Sequence, residues 1–261
     1  MNNYDSKLTA QPFCHRFSKA AENYDSNARI QKQVSLTLWD WLHTHLNPHF
    51  EPAAAIDVGS GTGFMTQLLL NTYSCPVHAI DIAPGMIDWL KNNVSSAQLH
   101  THLMDGEQLS IDPLWIPRNS LLVSNMCAQW FDDLNQALRR WLSVSNTVAF
   151  SLLLNGSFEA WHQAHAETGQ IAGARLLPDD GILMTLLNNL QQEKLVQALH
   201  FKSREFLDQH FDGLSFARSL RAIGADAPKS NHHPVNLRAV IRELGKGCTI
   251  NYRIGFVFLQ R

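Results

Sequence analysis

Hydrophobic residues follow a helical period in the first part of the chain. One apolar face recurs at near-helical spacing ahead of the breaker Asn47-Pro48, and it consists of Ile30, Val34, Leu38, Trp41 and Leu42. We therefore expect residues 1–50 to form a helical cover.

From residue 53 onward, short apolar runs suited to buried strands alternate with amphipathic helical patterns. The strands are predicted at 53–58, 76–82, 99–104, 120–125, 147–154, 196–206 and 249–259. Helices are predicted at 64–73, 84–93, 134–142, 216–223 and 237–244, and the third of these begins after Asp132-Asp133. Such alternation predicts an α/β fold with a mostly parallel, seven-stranded sheet covered on both faces.

The region after the fifth strand has a different character. Residues 156–194 are helical in pattern but interrupted by glycines and by the sequence LLPDDG, so we interpret them as a helical lid insertion. We expect the 261 residues to form one domain that includes both the cover and this insertion.

Composition excludes several classes of protein. Hydrophobic residues make up 45% of the chain, charged residues 17%, and the net charge is -2, which gives no basic footprint for nucleic acid. No run of apolar residues is long enough to span a membrane, so no membrane partner is expected. The four cysteines form no CxxC pair, which favours reduced thiols and a cytoplasmic location.

The most informative segment is a glycine-rich loop between the first strand and the following helix. Gly59, Gly61 and Gly63 are spaced GxGxG, with Ser60 between the first two and Asp57 two positions before the first. Glycines here allow a tight turn and let a ligand approach the backbone at a helix N-terminus. This loop resembles motif I of the class I methyltransferases, which bind S-adenosylmethionine (SAM), and it differs from the GxGxxG of dinucleotide-binding folds.

Polar residues at three further strand ends support the same cofactor. Asp81 ends the second strand, where a carboxylate can accept both ribose hydroxyls. Asp105 and Gly106 follow the third strand and look like the acidic step that contacts adenine in this class, while Asn125 ends the fourth strand at the ligand-facing edge. Asp81 could instead cap a helix, and Asp105 could belong to a plain turn.

Two apolar residues near Asp81 complete the predicted cofactor site. Ile82 and Met86 follow the second strand closely enough to border the cofactor, although packing alone would also explain them. SAM is therefore the predicted cofactor.

Longer segments resemble the malonyl-acyl-carrier-protein O-methyltransferases of biotin synthesis. The matching pieces are Phe17-Ser18-Lys19-Ala20-Ala21, Tyr24-Asp25, the stretch from Ser124 to Trp130, Ala174-Arg175-Leu176-Leu177-Pro178, and Ser219 to Ala225. The resemblance implies methylation of the free carboxylate of a malonyl group on acyl-carrier protein, or on coenzyme A. A carboxylate is already ionised at neutral pH, so such a reaction needs no general base.

Two residues are predicted to hold the substrate carboxylate. Arg175 could grip it bidentately from the insertion, with a surface salt bridge as the competing interpretation. Tyr24 could orient it from the cover, or could be a half-buried packing residue.

Other functions remain open at this stage. A quinone-type C-methyltransferase would share the cofactor site but needs a base, and a non-catalytic SAM-binding protein would share only the glycine loop. A dehydrogenase would need GxGxxG and a second substrate domain. The chain has 13 histidines, but none of their pairs is completed by a carboxylate or cysteine, so no metal is expected.

Overall fold

A computed structural model of the chain describes residues 12–109, 119–227 and 234–261. Residues 1–11 of the predicted cover lie outside the described residues. The described part of the cover consists of two helices, α1 (Pro12–Asn27) and α2 (Arg29–His45). Ala28 separates them because its backbone leaves the helical region, with φ -85° and ψ 49°.

Seven strands form one sheet, as the sequence predicts. They are β1 (Ala54–Val58), β2 (Val77–Asp81), β3 (Leu99–Leu103), β4 (Ser120–Asn125), β5 (Thr147–Leu153), β6 (Ala198–Gln209) and β7 (Thr249–Gln260). Their spatial order is β3-β2-β1-β4-β5-β7-β6. The strands from β1 to β5 pair in parallel, and β7 is antiparallel to both β5 and β6.

Seven further α-helices connect the strands in the described ranges, together with a 3₁₀ helix at Ala128–Trp130. They are α3 (Phe64–Thr72), α4 (Pro84–Asn93), α5 (Leu134–Val144), α6 (Glu159–Glu167), α7 (Asp180–Gln192), α8 (Gly213–Ala222) and α9 (Leu237–Leu244). Asp133, the second residue of the acidic pair that the sequence marks as a helix start, caps α5 by accepting a hydrogen bond of 3.0 Å from the Gln136 N–H. β6 runs three residues beyond its predicted end because Leu207 to Gln209 pair with the beginning of β7.

Apolar side chains bury both faces of the sheet. On one face, Val34, Leu38 and Leu42 of α2 pack with Leu69 of α3. On the other, Trp141 of α5 packs with three buried leucines of α7, which are Leu183, Leu187 and Leu190. α7 therefore covers the sheet, although it lies inside the segment predicted as a lid. None of the helices in the described ranges is both long enough and apolar enough to cross a membrane.

The strand order fixes where a ligand can enter. The chain runs outward from β1 through β2 to β3, then returns to place β4 on the other side of β1. The connections on the two sides of this switch point diverge, so a crevice opens beyond the carboxyl ends of the strands. The glycine loop, Asp81 and Asn125 all lie at this edge.

Candidate cofactor and substrate site

The crevice is a cleft of about 840 Å³ that is open to solvent. Nine of the predicted site residues line it, namely Tyr24, Gly59, Gly61, Asp81, Ile82, Met86, Asp105, Gly106 and Asn125. The structure thus brings together residues as far apart in the sequence as Tyr24 and Asn125.

The glycine loop needs its glycines for backbone shape. Gly59, Gly61 and Gly63 all have positive φ, at +72°, +53° and +98°. A Cβ on Gly59 would lie 2.4 Å from the Cys127 Sγ, whereas a Cβ on Gly61 would meet nothing within 4 Å. The loop is therefore tightly packed at Gly59 and open towards the cleft at Gly61.

Asp81 fastens this loop to the second strand. Its carboxylate accepts hydrogen bonds of 2.8 Å from the Gly61 N–H and of 2.8 Å from the Ala83 N–H. Burial raises the pKa of Asp81, and these backbone donors oppose the rise. The carboxylate reaches the cleft wall with its position fixed by the backbone, as a ribose acceptor requires.

The turn at Asp105 is held by the next helix. The Glu107 N–H donates to Asp105 Oδ1 at 2.9 Å, and the Trp141 indole donates to the Gly106 carbonyl at 2.9 Å. A Cβ on Gly106 would lie 2.3 Å from the Val58 Cγ1, so the turn packs directly on the end of β1. These contacts present the turn to the cleft.

A second, smaller cavity of about 300 Å³ lies beside the glycine loop. Asp57 and Ser60 line it, and so do Gln31 and Asn125. The Ser60 hydroxyl is buried and has no hydrogen-bond partner within the described residues, so it can pair with a ligand that enters this cavity.

Asp57 supports the loop from below. It accepts a hydrogen bond of 2.6 Å from the Thr66 hydroxyl, and burial raises its pKa to about 7. A carboxyl group in this position stabilises the turn between β1 and α3.

Asn125 links the cover to the sheet. Its Nδ2 donates to the Gln31 carbonyl at 3.0 Å, and its Oδ1 accepts from the Ser151 hydroxyl at 2.8 Å. Asn125 lines both cavities, so α2 is anchored at the cleft wall.

Two predicted residues, Gly63 and Arg175, line neither of the two cavities. Gly63 is the N-terminal cap of α3, and a Cβ there would lie 2.5 Å from the Leu90 Cδ1, so this close approach explains the glycine. Arg175 lies at the cleft mouth, where its guanidinium pairs with Asp132 at 2.8 Å. Its Cζ is 5.9 Å from the centre of the Trp130 ring.

Tyr24 lies between the two cavities and lines both. Its ring centre is 6.3 Å from that of Phe64. Burial raises the pKa of Tyr24, and the nearby charge of Asp81 adds to the rise. Its hydroxyl therefore stays protonated at neutral pH and can donate a hydrogen bond.

An aromatic cluster at the mouth was not predicted as part of the site. Trp130 contacts Phe13 and Phe17 of α1, with ring centres 5.3 Å and 5.4 Å apart. All three side chains line the cleft. Phe17 and Trp130 lie in the segments that carry the family resemblance, and this was the one sequence signal for the cluster. Nothing in the sequence indicated that the two residues contact each other.

Comparisons with known proteins agree with this geometry. Residues 56–146 match a family described as "Methyltransferase domain". The chain is 30% identical over 258 residues to the "Biotin biosynthesis bifunctional protein BioCD" of Bordetella avium, covering 95% of this chain and 52% of the relative. It is 25% identical to the "Malonyl-[acyl-carrier protein] O-methyltransferase" of Neorickettsia risticii, covering 94% of each. The chain spans about half the length of the first three curated relatives that it matches.

Solved structures show the same fold at low sequence identity. The YcgJ protein from Bacillus subtilis superposes with a TM-score of 0.58 at 10% identity, covering 86% of this chain and 97% of that one. The magnesium protoporphyrin IX methyltransferase from Synechocystis with bound SAH superposes with a TM-score of 0.53 at 10% identity, covering 92% and 86%.

The sheet order and the superposed structures show the Rossmann-like fold of the class I SAM-dependent methyltransferases, and residues 56–146 match the methyltransferase domain family. The glycine loop and the acidic residues at the next strand ends agree with that class. SAM is its cofactor, as the sequence predicts. Within the class, the resemblance to the malonyl-acyl-carrier-protein O-methyltransferases of biotin synthesis is confirmed.

Proposed function

We propose that this protein transfers the methyl group of SAM to the free carboxylate of a malonyl group carried on acyl-carrier protein. Curated relatives named as malonyl-[acyl-carrier protein] O-methyltransferases support this substrate. The observation that carries the proposal is the placement of Arg175 beside Trp130 and Asp132 of the cleft lining, where its guanidinium lies within reach of an acceptor carboxylate. In this structure Arg175 forms the surface salt bridge that the competing interpretation expects, so its contact with the substrate is part of the proposal.

The cleft chemistry suits an acceptor that is already ionised. Burial raises the pKa values of Tyr24, Asp81 and Cys127, and no histidine lines the cleft in the described part of the chain. A carboxylate acceptor needs no base, whereas carbon methylation of a quinone precursor does. Bound SAM supplies an electrophilic sulfonium methyl group.

The protein's own residues then have positioning roles. Asp81 and the glycine loop hold the cofactor, Arg175 holds the acceptor carboxylate, and the protonated Tyr24 hydroxyl orients one of its oxygens. Phe13, Phe17 and Trp130 exclude water from the mouth. Placement of a reacting oxygen in line with the methyl group, with water excluded, is sufficient for this reaction.

Methyl transfer to a panel of acceptors tests the proposal. Labelled SAM is incubated with malonyl-acyl-carrier protein, malonyl-CoA and a quinone precursor, using wild type, Arg175→Ala and Arg139→Ala. Arg139 of α5 is the matched control, because it forms an ion pair with Glu193, which follows α7, and neither residue lines the cleft. Loss of a charge-assisted contact of about 1.5–3 kcal/mol predicts that Arg175→Ala lowers kcat/KM by roughly 10- to 150-fold.

Each competing function has its own outcome. Transfer to the quinone precursor but to no malonyl thioester would indicate a C-methyltransferase. SAM binding without transfer to any acceptor would indicate a non-catalytic SAM-binding protein. An equal fall in methyl transfer to the malonyl thioester in Arg139→Ala would contradict the proposed role of Arg175 in binding the acceptor. SAH affinity should be the same in all three proteins.

The role of Tyr24 is tested separately. Tyr24→Phe keeps the ring contact with Phe64 and removes only the hydroxyl. Loss of one neutral hydrogen bond of about 0.5–1.5 kcal/mol predicts a fall in kcat/KM of roughly 2- to 12-fold. Unchanged kinetics would leave Tyr24 as a packing residue.

A further inference from the structure

The carboxylate that pairs with Arg175 belongs to the protein itself. Asp132 lines the cleft, and its Oδ1 accepts from the Arg175 guanidinium at 2.8 Å. It thus lies where the proposed substrate carboxylate would bind. A guanidinium that is already paired has fewer donors to offer to an incoming acid.

The two partners of this pair differ in how easily they can move apart. The Asp132 side chain is 79% exposed, whereas the Arg175 side chain is 28% exposed and lies against the Trp130 ring. Asp132 can therefore turn into water at little cost while Arg175 stays in place. The arrangement favours exchange of the carboxylate over movement of the cation.

The backbone of Asp132 is fixed independently of its side chain. Glu107 accepts a hydrogen bond of 3.1 Å from the Asp132 N–H and one of 2.7 Å from the Asp133 N–H. Asp133 also supplies the N-terminal cap of α5. Asp132 therefore has no capping role, and an asparagine there keeps the same backbone contacts.

The chain around Arg175 is held at both of its ends. Gln170 makes hydrogen bonds with Asn236, and the Pro178 carbonyl accepts from the Asn155 N–H at 2.9 Å. Between these points lies no helix or strand, and Leu176 beside Arg175 is 93% exposed. Release of Asp132 therefore frees the guanidinium without detaching the segment.

The geometry points to Asp132 as a positioning residue: its carboxylate forms an ion pair with Arg175 in the free enzyme, and the acceptor carboxylate replaces it when the substrate binds. This inference rests on the proposed function. The Asp132 carboxylate competes with the substrate, so it raises the KM for the malonyl thioester. It also keeps the guanidinium pointed at the mouth until an acid enters.

A purely structural role makes the opposite prediction. If the ion pair only fastened the segment that carries Arg175, then Asp132→Asn and Arg175→Ala would both loosen it, and both would raise KM. Under exchange, the two variants shift KM in opposite directions. An exposed ion pair of ordinary strength predicts that Asp132→Asn lowers KM by about 1.5- to 5-fold.

The experiment measures KM and kcat for malonyl-acyl-carrier protein at saturating SAM. The variants are Asp132→Asn, Asp132→Glu, Arg175→Ala and the double variant Asp132→Asn/Arg175→Ala. Glu193→Gln is the matched control, because it breaks the exposed Arg139–Glu193 pair away from the cleft. Thermal unfolding of each variant checks that it is folded.

We expect a lower KM in Asp132→Asn, a KM close to wild type in Asp132→Glu and Glu193→Gln, and no effect of Asp132→Asn when Arg175 is already alanine. An unchanged or higher KM in Asp132→Asn would overturn the exchange. The same fall in KM in the Arg175→Ala background would also overturn it, since Asp132 would then act only by repelling the acceptor. If wild type transfers no methyl group to a malonyl thioester, the proposed function itself fails, and this outcome is distinct from a wrong sign in Asp132→Asn.

Discussion

The close approach of Gly59 to Cys127 makes a sharp prediction for the glycine loop. In Gly59→Ala, the new Cβ would lie 2.4 Å from the Cys127 Sγ and 2.5 Å from its Cβ. These distances are at least about 1 Å shorter than a normal non-bonded contact of about 3.5–4.0 Å. Either the loop or the start of the β4 connection must move, and both line the cleft.

Two terms set the size of the effect. A residue with a Cβ at φ +72° costs about 1–2 kcal/mol in backbone strain. Overpacking against Cys127 adds about 1–3 kcal/mol. Gly59→Ala should therefore lower the free energy of unfolding by about 2–5 kcal/mol.

Gly61→Ala is the matched control. Gly61 also has a positive φ, of +53°, but a Cβ there would meet no atom within 4 Å. It should cost only the strain of about 1–2 kcal/mol. The difference between the two variants therefore isolates the contact with Cys127.

Urea unfolding and calorimetric SAH binding of Gly59→Ala, Cys127→Gly and the double variant complete the test. Cys127→Gly removes the atoms that the new Cβ would strike, so the double variant should be more stable than the sum of the single effects by about 1–3 kcal/mol. SAH affinity should fall in Gly59→Ala and recover in the double variant. Equal stability losses in Gly59→Ala and Gly61→Ala, with no coupling to Cys127, would refute this account of the loop.

Three further predictions concern the rest of the site. Asp81→Asn puts an amide against a backbone donor and removes a charge-assisted hydrogen bond of about 1.5–3 kcal/mol, so it should weaken SAH binding by roughly 10- to 150-fold. Calorimetry measures the affinity, and equal SAH affinity in Asp81→Asn and the exposed control Asp88→Asn would contradict this prediction. Burial raises the pKa of Asp57 to about 7, so the folded protein keeps a proton on this carboxyl group that the unfolded chain loses above the usual pKa of 3.8. The stability that this proton contributes is therefore complete below pH 3.8 and is lost as the pH rises to about 7. Asp57→Asn should accordingly gain stability relative to wild type between pH 4 and 7, by about 4 kcal/mol at most, and parallel urea midpoints over that range would contradict it. Trp130→Ala removes the ring contacts with Phe13 and Phe17, worth about 0.5–1.5 kcal/mol each, so hydrogen exchange of the α1 amides should accelerate. Unchanged exchange would show that these ring contacts do not stabilise α1.

The sequence predicted those parts of the fold that depend on local patterns. The strand Ser120–Asn125 has the predicted bounds, because its continuous apolar run is flanked by polar residues at both ends. The glycine loop was recognisable because positive φ angles require glycine at fixed spacing. Asp81 and Asp105 were found because strand ends in a parallel sheet meet at one edge.

Contacts between distant segments could not be predicted in this way. The pairing of Phe13 with Trp130 joins residues more than a hundred positions apart, and no helical or strand period encodes it. The packing of α7 on the sheet was hidden because its leucines also suit an amphipathic lid helix. Arg175 was found as a candidate cation, but its pairing with Asp132 depends on the path of a segment that has no regular structure.

The central proposal is tested most directly by whether the transferred methyl group is bound to oxygen or to carbon in the product. Labelled product from SAM and malonyl-acyl-carrier protein is treated with mild alkali, which hydrolyses a methyl ester to methanol but leaves a carbon-bound methyl in place. We predict that the label leaves as methanol and that its formation depends on Arg175. Label that stays on the acyl chain after alkali, or product that forms equally well in Arg175→Ala, would contradict carboxyl O-methylation at this site.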